Sequence, residues 1–63
     1  MRKKLKELRL KKGFTHDEMA REAGITRSHY TKIENGMGNP SLQVAIKLKD
    51  VVGYFNDDLF ACV

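Results

Sequence analysis

The chain has 63 residues and a mass of 7.2 kDa, and a chain this short buries only about 60% of its unfolded surface, which disfavours a multi-step enzyme with a deep cofactor cleft. Its 41% hydrophobic and 32% charged residues fit a compact fold, and a single cysteine, Cys62, excludes an internal disulfide framework or a multi-cysteine zinc site. The net charge of +4 is polarised: residues 1–32 carry ten Lys and Arg against four acids (+6), residues 33–63 two against four (−2). That imbalance points to an anionic partner, nucleic acid ahead of a membrane surface.

The basic N-terminus leads into a helical pattern rather than the apolar block of a secretion signal. No apolar run approaches the roughly 18 residues of a membrane span. One cytoplasmic domain over residues 1–63 is therefore expected.

Helix 1 is expected over about 2–12. Met1, Leu5, Leu8 and Lys12 share a face, with the Lys12 stem lying along it. Leu10 falls off that face, either exposed or covered by the C-terminal segment. Gly13 stops the helix, and Lys11 and Lys12 suit its negative dipole end.

Helix 2 is expected over 16–23. Thr15-His16-Asp17-Glu18 is a capping box, and Phe14 and Met19 are placed as a hydrophobic staple. Helix 3 follows over 27–34, capped by Thr26. Only Gly24 and Ile25 lie in the turn between, so the two helices must cross steeply with a small residue at the contact. Ala20 supplies it, and Gly24 supplies the left-handed turn: the sequence form of a helix-turn-helix.

At 100° per residue, Arg27, Thr31, Ser28 and Lys32 fall on one side of helix 3 at about 0°, 40°, 100° and 140°. Tyr30 and Ile33 lie opposite. A guanidinium, two hydroxyls and an ammonium on one face suit the major groove, where Arg and Lys can meet guanine O6 and N7 and hydroxyls serve several bases.

Helix 4 opens at Asn39-Pro40-Ser41, with Pro40 in the first turn and Asn39 or Ser41 as cap. Leu42, Ala45, Leu48, Val51 and Val52 recur at helical spacing up to Gly53. A short fifth helix is expected at about 56–60, capped by Asn56 with Asp57 and Asp58 in its first turn. Phe55, Leu59, Phe60 and Val63 either close the core or form a dimer interface, and the dimer is favoured.

The run Leu8-Arg9, Gly13-Phe14-Thr15, Met19-Ala20, Gly24-Ile25-Thr26-Arg27-Ser28, Ile33-Glu34-Asn35-Gly36, Asn39-Pro40-Ser41-Leu42 resembles the Cro/CI-type helix-turn-helix regulators, which are phage-repressor-like. The resemblance covers about residues 5–60. It implies an all-α, five-helix lambda-repressor-like domain with helix 3 in the major groove of double-stranded DNA. Arg27, Ser28, Thr31 and Lys32 then fall at the base-reading positions. His16 and Asn35 match phosphate-contacting positions, and Thr26 and His29 are further phosphate candidates. Arg9 and Glu34 match an internal ion pair between helix 1 and the end of helix 3, joined by Ala20 and Gly24 as structural positions.

Four departures stand out. His16 replaces a usual Gln, Tyr30 a branched aliphatic, so that its hydroxyl needs a partner, and Gly36-Met37-Gly38 lacks the cations many relatives carry. Lys49 also replaces a small residue in helix 4.

The expected function is that of a homodimeric transcriptional repressor on a palindromic operator. The competing reading is an antitoxin or protein-interaction module on the same fold, against which stand Arg27 and Lys32. No cofactor, metal or small-molecule ligand is expected. His16 and His29 lie on different helices without metal-ligand spacing, and Cys62 reads as a tail thiol.

Overall fold

The computed structural model describes residues 1–61. Four α-helices follow in order: α1 (Lys3–Lys12), α2 (His16–Ala23), α3 (Arg27–Glu34) and α4 (Leu42–Val52). The expected fifth α-helix is instead a four-residue 3₁₀ turn, Asp57–Phe60. Leu59 N–H donates to the Asn56 carbonyl and Ala61 N–H to the Asp58 carbonyl, an i to i+3 pattern, and the Asn56 side chain makes no cap. Among the described residues there is no strand.

Local chemistry sets the helix ends. The Thr15 hydroxyl accepts from the Glu18 amide at 3.1 Å while the Glu18 carboxylate accepts from the Thr15 amide at 3.0 Å. Bonds from both the main-chain and the side-chain donors of Thr15 hold the Glu18 carboxyl below its usual range. Thr26 caps α3 through the His29 amide at 3.1 Å. Ser41, not Asn39, caps α4 through the Val44 amide at 3.3 Å, so Pro40 lies before the helix rather than in its first turn. Gly24 takes φ 72° after α2, which lets the Ile25 amide reach back to the Ala20 carbonyl at 2.9 Å. A side chain there would be strained in the left-handed region.

The core gathers one stripe from each element: Leu5, Met19, Ala20, Ala23, Tyr30, Ile33, Val44, Leu48, Val52 and Leu59. Helix α2 packs against both α3 and α4, and the 3₁₀ turn closes over α1. Phe14 and Ile25 pack at the margin of this core.

Two expected core positions, Leu42 and Met1, are corrected, and the open alternative at Leu10 is decided. Leu42 is 77% exposed because α4 is anchored by Val44, Leu48 and Val52, a stripe two residues out of phase with it. Met1 lies outside α1 and is exposed, and the inward face of the helix is Leu5 and Arg9 with Leu8 at the edge. Leu10 is exposed. In the C-terminal segment Leu59 is buried and Phe60 packs on the core, whereas Phe55 is exposed. Tyr54 ties this segment to α1, its ring 5.1 Å from the Lys4 ammonium and its hydroxyl donating to Asp58 at 2.7 Å. Cys62 and Val63 lie outside the described residues.

Candidate nucleic-acid interface

The exposed face of α3 is one wall of a shallow open groove. His16, Arg27, Ser28, Thr31, Lys32, Asn35 and Met37 line it. Six of these are positions assigned from the sequence, now brought together from α2, α3 and the loop after α3. The side chains of Arg27, Ser28, Lys32 and Asn35 are exposed, and among the described residues none of them is held by another side chain. Two cations, a hydroxyl and an amide thus face outward with no carboxylate in the groove wall, which suits an anionic ligand carrying hydrogen-bonding edges.

Thr26 and His29 do not line the groove. The Thr26 hydroxyl accepts the His29 amide as the α3 cap, and the His29 ring is exposed beside the groove.

Beneath the groove lies a buried polar cluster centred on Glu34, which is 2% exposed. Arg9 Nε donates to Glu34 Oε1 at 2.8 Å, forming the ion pair between α1 and the end of α3. The Arg9 guanidinium also donates to the Phe14 carbonyl at 2.7 Å, so it fixes the turn before α2 as well. Tyr30 donates its hydroxyl to the same Glu34 oxygen at 3.0 Å, which answers the need of a buried phenol for a partner. Burial and the adjacent Glu34 charge push the Tyr30 pKa well above its ordinary value of 10.0.

His16 joins this cluster rather than standing free at the start of α2. Its Nε2 lies 2.9 Å from Glu34 Oε2 and its Nδ1 lies 2.9 Å from Thr31 Oγ1. The ring meets Tyr30 edge-on, with centroids 5.4 Å apart. Both ring nitrogens are therefore occupied inside the protein, and a neutral imidazole in this pose has no N–H left for a phosphate.

Sequence reasoning missed Arg2, which is 3% exposed. Its backbone amide donates to the Glu34 carbonyl at 2.8 Å. Its guanidinium donates to the carbonyls of Ile33, Gly38 and Phe60 and to Asn39 Oδ1. The last carbonyls of α3 lack partners within the helix and sit at its negative dipole end. Arg2 satisfies two of them and at the same time holds the Gly36–Asn39 loop and the 3₁₀ turn. In the sequence Arg2 is one more cation in a Lys-rich run. The only local signal was that the run contains an arginine, whose planar fork suits several acceptors at once. Met37, which also lines the groove, lay outside every helical pattern and carried no signal.

A helix-turn-helix family model matches residues 5–54. The chain is 50% identical over 54 residues to an uncharacterized HTH-type transcriptional regulator, YqaF, of Bacillus subtilis, covering 86% of this chain and 71% of the relative. It is 38% identical over 60 residues to an uncharacterized HTH-type transcriptional regulator of Archaeoglobus fulgidus, covering 95% of this chain and 86% of that one. It is also 39% identical over 56 residues to YonR, an SPbeta prophage-derived regulator of Bacillus subtilis, covering 89% of this chain and 52% of the relative. No solved structure matches the chain.

Proposed function

This chain belongs to the Cro/CI-type helix-turn-helix family, and from that premise we propose that it regulates transcription by binding double-stranded DNA in a sequence-specific manner. The observation that carries the reading is the outward face of α3, where Arg27, Ser28 and Lys32 stand exposed along one groove lined by no acid. Arg27 has the bidentate geometry for guanine O6 and N7, Lys32 can reach the same atoms, and Ser28 and Thr31 add single contacts to base edges. Asn35, at the far end of the groove, contacts phosphate. The Lys-rich start of α1 adds sequence-independent attraction.

The protein acts as a homodimer and a repressor. Leu42 and Ile46, four residues apart on the outer side of α4, and Phe55 beyond it are 77%, 56% and 66% exposed. Apolar side chains of this size on a small domain favour a second subunit. Two copies place their α3 helices in successive major grooves, about 34 Å or 10–10.5 base pairs apart, on a two-fold symmetric operator. Occupancy of such a site by itself blocks other proteins, so repression needs no further contact. The same exposed residues favour a second reading, a module that grips another protein, as an antitoxin does.

Selection of binding sites from a random duplex library, followed by affinity at two salt concentrations, tests the proposal. A palindromic consensus with guanines at the Arg27 positions and a steep salt slope is expected. Weak binding with no consensus overturns it in favour of the protein-interaction reading.

A further inference from the structure

The hydrogen-bonding cluster beneath the groove restricts what Thr31 can read. Glu34 Oε2, as a carboxylate oxygen, can only accept, so the His16 nitrogen 2.9 Å from it, Nε2, carries the proton. In the neutral ring Nδ1 is then an acceptor. The Thr31 hydroxyl 2.9 Å away has to donate into it. While the ring is neutral, the one proton of that hydroxyl points inward, leaving only lone pairs toward the groove that Thr31 lines. Glu34 itself is held by Arg9 and Tyr30 on its other oxygen, so the carboxylate is not free to turn and release the ring.

We propose that His16 is a positioning residue that makes Thr31 an acceptor-only reader, so that the base facing Thr31 must present an amino group, adenine N6 or cytosine N4. The proposal rests on the DNA-binding reading above and deepens it. A threonine hydroxyl free to rotate would serve donors and acceptors alike and would carry little sequence information. Locked by His16, it accepts from an amino edge in the major groove and meets the O6 and N7 of guanine or the O4 of thymine with lone pair against lone pair. The chain of bonds from Arg9 through Glu34 and His16 to Thr31 thus links the core to one base position.

Two measurements on the intact protein test this. In the free protein at about pH 8, above the usual histidine range, long-range proton–nitrogen correlation spectra should show His16 protonated on Nε2 and bare on Nδ1. The opposite tautomer overturns the proposal with no DNA involved. Site selection is then run on the wild type, Thr31→Val and His16→Leu, with thermal melting to verify that each variant is folded. The wild type should prefer adenine or cytosine about fivefold or more at one position of each half-site. Thr31→Val should abolish that preference, and His16→Leu should flatten it to near-equal use of all four bases while the preferences at the other positions persist. Should His16→Leu fail to fold, Thr31→Val and the tautomer decide alone. A consensus in which no position changes in Thr31→Val, or in which that position selects guanine or thymine, overturns this proposal and leaves the DNA-binding reading standing. A wild type that selects no consensus overturns both.

Discussion

Replacing Arg2 by alanine should weaken the fold far more than its place at the start of a Lys-rich run suggests. The guanidinium makes four hydrogen bonds, to three main-chain carbonyls and the Asn39 amide oxygen, and no carboxylate among the described residues accompanies them. A hydrogen bond to a charged group contributes about 1.5–3 kcal/mol. The four share one side chain and its desolvation, so they do not add, and a loss of about 2–4 kcal/mol is expected. At about 0.05–0.15 kcal/mol per residue, a 63-residue domain has roughly 3–9 kcal/mol in all. Arg2→Ala therefore removes a large part of the total. Arg2→Lys should recover less than half of the loss, since one ammonium cannot span acceptors on α3, the following loop and the 3₁₀ turn. Urea unfolding followed by far-ultraviolet circular dichroism measures both. An Arg2→Ala variant within about 0.5 kcal/mol of the wild type would refute the reasoning, and full recovery by lysine would refute the geometric part of it.

Other changes separate reading from scaffolding. Arg27→Ala should cost about 1–3 kcal/mol of binding on the selected operator and relax preference at one base pair; equal losses on operator and random duplex would make it a phosphate contact. Asn35→Ala should weaken operator and random DNA alike, and a loss confined to the operator would remove the phosphate assignment. Glu34→Gln leaves Arg9 buried without its counter-charge and should destabilise by about 3–5 kcal/mol in the same urea assay; a near-neutral result would mean that Arg9 reaches water. The raised pKa of Tyr30 has a definite sign: its stabilisation is fully present below the ordinary tyrosine value of 10.0 and is lost as pH rises above it. Stability should fall there by up to about 1.4 kcal/mol per pH unit more than in Tyr30→Phe, and parallel curves for the two proteins would show that the hydroxyl is not held.

Helices α2 and α3 have the bounds expected of them because their ends are made by neighbours in the chain. Thr15 with Glu18, Gly24 and Thr26 each act within a few residues of themselves. The outward face of α3 was legible for the same reason, since helical spacing fixes which side chains share a side. Leu42 was misplaced because spacing gives a stripe but not its phase when Leu42 and Val44 both offer one; in the packed fold Val44 is the buried one.

What the chain's local chemistry determined, then, is four helices, their caps and the polar face that α3 presents. Apart from the Arg9–Glu34 pair, which the family resemblance implied, tertiary structure alone decided the partners of the buried polar groups. Arg2 meets Ile33 across 31 positions of sequence and Phe60 across 58, and His16 meets Thr31 across 15. A charged or polar side chain enters the interior wherever folding has left acceptors unmet, and orphan carbonyls at a helix end exist only once that helix is packed. The final segment followed the same logic. Its capping signals suggested an α-helix, but the segment packs on α1 as a single 3₁₀ turn with Leu59 buried.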